Sequence, residues 1–198
     1  MVDVANSPSF EDRDVMEFFQ TSGRNLLAAE KSAGTKHHVA LSIVNCDGLP
    51  DSGYMRAKVA QENLVKNSGV PYTILRSTQF YEFARAIAQS ATIGRMIHMS
   101  PALIQPIASS DVISVLAEIC TAAPLNSTTE VGGPEKIRFD DWIRRYLELT
   151  DDHREVITDE HARYYGTELN DQSLTAGPNA RLGKIKYDNW FNTQKVPA

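Results

Sequence analysis

The chain has 198 residues, 42% of them hydrophobic, 23% charged and 8% aromatic, the profile of one or at most two ordinary globular domains rather than of a disordered or fibrous chain. Twenty basic residues against twenty-five acidic ones leave a formal charge of -5, and without a basic excess no nucleic-acid partner is expected. Cys46 and Cys120 lie far apart with no partner at metal-ligand spacing, as expected of two buried small hydrophobes in a reducing cytosol.

No apolar stretch approaches the ~20 residues of a membrane span, and the first residues, MVDVANSPSFEDRD, lack the basic and apolar regions of a secretory signal. A cytoplasmic protein with no membrane partner is the expectation.

In chain order, the apolar run at residues 1–5 reads as a strand that breaks at Asn6, Ser7 and Pro8. Ser9 stands where a helix N-cap belongs, with Glu11 and Asp12 in the favoured acidic first turn. Val15, Phe18, Phe19, Leu26 and Leu27 follow at roughly helical spacing, and Gly34 is placed to stop the helix. Gly23 inside it costs ~1 kcal/mol against alanine, which implies close packing on a neighbour. Residues 39–44 read as a buried strand, 52–67 as a helix ended by Gly69, and 72–76 as a third strand.

This alternation argues for βαβ units and a parallel sheet. Further on, 79–92 reads as a helix, 103–108 as a strand, 111–122 as a helix capped by Asp111, 130–131 as a short strand and 139–149 as a helix. Arg144 and Arg145 read as a solvated face. Beyond residue 150 the chain is polar, with HARYYG (161–166) and residues 187–191 reading as segments docked on the body. Lining of a substrate cleft is the lesser reading of HARYYG. His37 and His38, adjacent on a strand, point to opposite faces and cannot chelate one ion, and no metal site is expected.

The chemistry gathers in ALSIVNCDGLPDSGYMRAKVAQENL. Tyr54 and Lys58 are four apart on a predicted helix and share one face, and Ser42 lies twelve residues earlier, on the preceding strand. A phenol with a pKa near 10 is a poor acid at neutral pH; a lysine cation one turn away is expected to lower it. A serine hydroxyl at the adjacent strand end can hold a substrate carbonyl toward the tyrosine. An isolated Y-x-x-x-K is a weak signal, and context raises it: the pair opens a helix after a buried strand, and PYTILRSTQF follows.

Taken in order, HHVALSIV, GYMRAKVAQENLVKNSGVPYTILRSTQF, QPIASSDV and VGGPE make residues 1 to about 150 resemble the short-chain dehydrogenase/reductase superfamily, and within it the atypical NmrA-like NAD(P)-binding proteins. The resemblance implies a Rossmann-like α/β sheet with helices on both faces. It also implies Tyr54, Lys58, Ser42 and Asn25 as catalytic residues, Asn25 through a proton relay. Asn6, Ser7 and Pro8, Lys58, and Ser77, Thr78, Gln79 and Phe80 would lie against NADP or NAD.

The chain departs from the family in two ways. No G-x-G-x-x-G or G-x-x-G-x-x-G occurs, so roughly two βαβ-sized units of ~30 residues are absent relative to the family, and with them the helix N-terminus that holds the pyrophosphate. The loop after the third strand also lacks the Pro-Gly of catalytic members. The organisation expected is the C-terminal part of an N-terminally truncated NAD(P)-binding domain over 1–150 and a small substrate-side cap over 151–198. The expected function is NAD(P)H-dependent reduction of a small carbonyl substrate. A non-catalytic NAD(P)-sensing regulator or an inactive fragment is the alternative. Weak NADP(H) binding and self-association are expected of these 198 residues.

Overall fold

The structure, a computed structural model, describes residues 1–194. Its elements in order are β1 (Val2–Asp3), α1 (Asp12–Ala33), β2 (His38–Ile43), α2 (Gly53–Asn67), β3 (Tyr72–Ser77), α3 (Ala84–Ser90), β4 (Thr92–Ile93), β5 (Met96–Met99), β6 (Leu103–Ile104), α4 (Ser109–Thr121), β7 (Ser127–Gly132), β8 (Ile137–Arg138), α5 (Phe139–Thr150), β9 (Glu155–Thr158), β10 (Arg181–Leu182) and α6 (Tyr187–Gln194).

Five strands form one parallel sheet in the order β1-β2-β3-β7-β10. Alternation along its strands sends side chains to two helical layers. Ala40 and Ile74 pack with Leu27 and Val65 under α1 and α2, whereas Val39, Leu75 and Val131 meet Val112, Leu116 and Ile119 of α4. This is the Rossmann-like α/β architecture with helices on both faces. A larger apolar cluster joins α3, α5 and α6, with Trp142, Phe139, Leu174 and Tyr187 buried in it. Residues after 150 therefore contribute to this core, and β10 joins the main sheet.

Local sequence explains most boundaries. Gly34 adopts φ 66° and ends α1, a left-handed conformation that glycine takes without strain. A Cβ on Gly23 would lie 3.2 Å from Leu64 Cδ1, so α1 and α2 pack closely there. Ser52 caps α2 by accepting from Met55 N.

Several expectations are corrected. The N-cap of α1 is Glu11, while Ser9 Oγ accepts from Glu11 N and donates to Asp14: the loop uses Ser9 to make a turn before the helix. Asp111 does not cap α4, whose N-cap is Ala108. Its carboxylate instead accepts from Lys184 N and Ile185 N, tying the C-terminal segment to the body. Residues 79–92 break into a 3-10 turn at Tyr81–Phe83 and the short α3, because Tyr81 N and Ile107 N are drawn into a bridge between the two loops. Strand 103–108 shrinks to β6, and β1 to two residues. Cys120 is exposed, unlike buried Cys46. Arg144 is bound by Asp140, Asp141 and Thr158 rather than freely solvated, and Arg145 by Asp188 and Glu148.

Candidate functional site

In an open parallel sheet, ligands collect beyond the carboxyl ends of the strands, where loops diverge. A cleft of about 390 Å³ opens there. Its floor comes from Val4, Ala5 and Asn6 after β1, Leu41, Ser42 and Ile43 of β2, and Ser77, Thr78, Gln79 and Phe80 after β3. Tyr54 and Lys58 of α2 face it, and Phe10, Phe83, Tyr164 and Tyr165 rim it.

The helical spacing of Tyr54 and Lys58 brings both to one wall, as the four-residue interval requires. Tyr54 Oη donates to Asn6 Oδ1 at 2.8 Å. Lys58 is 3% exposed; its Nζ donates to Leu41 O at 2.9 Å and to Gln61 Oε1, and it lies 4.5 Å over the Phe19 ring. Gln61 in turn donates to Asp3 Oδ2 at 2.9 Å, so a buried chain of polar groups fixes the ammonium.

Electrostatics here differs from expectation. Burial, with a smaller effect from Tyr165, pushes the Tyr54 phenol up to about 12, so it is not lowered by its lysine neighbour. Burial likewise lowers Lys58 to about 8, against the opposing pull of Asp3. The low-polarity wall disfavours both charged forms.

The other predicted residues divide. Ser42 reaches the lining, yet its hydroxyl donates to Glu62 Oε1 at 2.7 Å, inside a buried cluster with Arg76 and Cys46. Strand alternation turns it to the α2 side, toward Glu62. Asn25 is exposed on α1; Gly23 and Leu27 on either side of it are buried, and a step of two residues carries a side chain to the far side of a helix. Asn6 is in place, but Ser7 turns its Oγ to Ser9 N and Pro8 is exposed, so neither joins the lining. Thr78 Oγ1 accepts from Gly133 N. Gln79 is 7% exposed with its Oε1 unpartnered, beside the Tyr164 phenol.

Sequence reasoning missed Gln61 and Asp3, which hold Lys58; it also missed Phe10 and Phe83 on the rim and buried Ile87 in the lining. Tyr164 and Tyr165 were signalled by the aromatic run HARYYG: Tyr164 docks on Phe139 of the body, as expected, and both rings also line the cleft.

The residues present fit one end of a nicotinamide nucleotide. Gln79 offers a buried, unpartnered amide oxygen to a carboxamide N–H, and Tyr54 and Lys58 stand beside it on the wall. No G-x-G-x-x-G or G-x-x-G-x-x-G turn lies among these residues.

No family model and no curated protein matches the chain. Among solved structures it is similar to RMD from Pseudomonas aeruginosa complexed with NADPH (TM-score 0.66, 14% identity, covering 96% of this chain and 77% of that one). It is similar too to WbmG from Bordetella bronchiseptica in complex with NAD and UDP (0.67, 15%, 98% and 69%). A third is WbmH from the same organism, in complex with NAD+ (0.63, 12%, 85% and 65%). The chain thus spans about two thirds to three quarters of the length of these proteins. At such identities the likeness is one of fold, the Rossmann type.

Proposed function

We propose that the chain is an NAD(P)-dependent oxidoreductase of the atypical, NmrA-like short-chain dehydrogenase type that reduces a small carbonyl compound. The observation that carries the reading is the joint placement of Tyr54 and Lys58 on the wall of the cleft at the strand ends. A sensor that only binds a nucleotide has no need of a phenol held ready beside a buried ammonium. NADP or NAD in the solved neighbours supports the choice of cofactor. Self-association is part of the same reading.

Bound at the Gln79 end, the nicotinamide would supply a hydride. The protein's part is the proton. Tyr54, raised to about 12, stays protonated at neutral pH, so its O–H donates to a carbonyl oxygen as charge develops there. Before substrate binds, that O–H is held by Asn6 Oδ1, and the carbonyl oxygen takes the place of Asn6 as its acceptor. Lys58 lies one helical turn away on the same wall, and Gln61 with Leu41 O keeps its ammonium in place.

Tyr54→Phe tests this. With NADPH at millimolar concentration, because no glycine-rich turn grips its pyrophosphate, turnover of a carbonyl panel followed at the reduced-nicotinamide absorbance is expected to fall about 100-fold or more. NADPH contacts read by saturation-transfer NMR are expected to persist. Full turnover by Tyr54→Phe on a substrate that the parent reduces would remove Tyr54 from the chemistry.

A further inference from the structure

The cleft wall is unusually rich in rings. Phe10 and Tyr165 stack with centroids 5.6 Å apart at 27°, and Tyr54 completes a triangle at 5.4 Å from Phe10 and 6.4 Å from Tyr165. A second pair, Phe80 and Phe83, stacks at 5.4 Å and 12°. All five rings line the same cleft. Phe10 and Phe83 are 51% and 48% exposed, so large apolar surfaces at its mouth stand open to solvent, which marks a binding surface more often than a packing one.

The polar lining is as informative. Among the described residues of the wall there is no arginine, aspartate or glutamate. Lys58 is its one cation, and that ammonium is already held by Leu41 O and Gln61. A phosphate or carboxylate entering here would lose its hydration without gaining a counter-charge. A flat uncharged ring would gain contact with ring faces and edges on both sides.

Resting on the carbonyl-reductase reading, we infer that the substrate is an uncharged, flat aromatic carbonyl compound, lodged between the Phe10–Tyr165 pair and the Phe80–Phe83 pair. In the reaction a C–H bond forms at the carbonyl carbon with hydride from a reduced nicotinamide nucleotide. The C=O π pair moves to oxygen, which takes the Tyr54 proton; solvent reprotonates the phenolate. An alcohol and the oxidised nucleotide leave.

Binding can be read without the cofactor. The probes are 2-acetylnaphthalene, 2-naphthoate with the same ring and a negative charge, and UDP-glucose, each titrated by fluorescence and saturation-transfer NMR. The ketone is expected to bind at least tenfold more tightly than the naphthoate, and UDP-glucose not at all. Phe10→Ala and Phe83→Ala, both at exposed positions that folding tolerates, are each expected to weaken the ketone at least fivefold, with circular dichroism unchanged. UDP-glucose or naphthoate binding as well as the ketone, or unchanged affinity in both variants, overturns the proposal. Ring-dependent ketone binding without NADPH-dependent turnover sustains this ligand class and sinks the reductase reading. Turnover of aliphatic carbonyls with no ketone binding does the reverse.

Discussion

Lys58 keeps an ammonium in a place that disfavours charge, and the consequence is measurable. Its pKa falls from 10.5 to about 8 through burial, so the folded chain releases this proton before the unfolded chain does. Where the unfolded state binds more protons, stability rises with pH, here between about 8 and 10.5. Urea unfolding of the parent is expected to gain about 2 kcal/mol between pH 7.5 and 9.5 relative to Lys58→Met; equal slopes in the two proteins would show that Lys58 titrates normally. Glu62 is the opposite case. Hydrogen bonds from Arg76, Lys66 and Ser42 outweigh burial and hold its carboxyl near 2, so that its contribution is present above the ordinary value of 4.5 and is lost as pH falls toward 2. Glu62→Gln leaves Arg76, 12% exposed, with only the exposed Asp47 carboxylate as countercharge and is expected to cost about 2 kcal/mol in denaturant unfolding. The Tyr54–Lys58 pair was legible because four residues on a helix fix a common face. The partner of the Ser42 hydroxyl and the outward face of Asn25 were not, because a side chain's direction depends on which neighbour competes for it. Glu62 takes the Ser42 hydroxyl, and α1 presents Gly23 and Leu27, not Asn25, to the interior.

Between elements, a backbone-to-backbone fit with no slack lies where the turn after β7 crosses the loop carrying Pro106. A Cβ on Gly133 would sit 1.7 Å from Pro106 O and 3.1 Å from Gln105 O, and those atoms are backbone. Gly133 N also donates to Gln105 O and Thr78 Oγ1, so the turn cannot retreat without releasing the loop under the cleft. Gly133→Ala is therefore expected to lower stability by about 3 kcal/mol, read by thermal unfolding, with a wild-type melting temperature as the outcome that refutes the packing argument. The VGGPE motif marked this turn in the sequence, although not the reason for its second glycine. The helices and strands of 12–77 were legible in the same way, since buried apolar runs alternate with periodic segments bounded by Ser52, Gly34 and Gly69. The stretch after β3 was not legible. Around its short α3, β4, β5 and β6 the backbone is also satisfied by isolated bridges, Phe80 with Ile107 and Ile104 with Leu174, and such partners leave no periodic trace.

At the scale of the whole molecule, the parallel sheet followed from the alternation of strands and helices, and its outer strands remain to be explained. β1 and β10 are its two edges among the described residues. Both are only two residues long, which limits the row of unpaired backbone groups that each presents. They differ in what flanks them. Near β10, Arg181 pairs with Glu118, and Lys184 and Lys186 follow, so charge guards that edge. Around β1, Met1, Val2 and Val4 are 55%, 43% and 56% exposed, and their only charged neighbour on the strand, Asp3, is buried with Gln61. An apolar, unguarded edge pairs readily with another strand. Concentration-dependent self-association by sedimentation velocity is the expected behaviour. Val2→Lys is expected to reduce it severalfold, while Leu182→Lys, on the edge already protected by charge, leaves it unchanged. Association that ignores Val2→Lys would place the contact elsewhere, with exposed Ile113 and Leu125 the next surfaces to change.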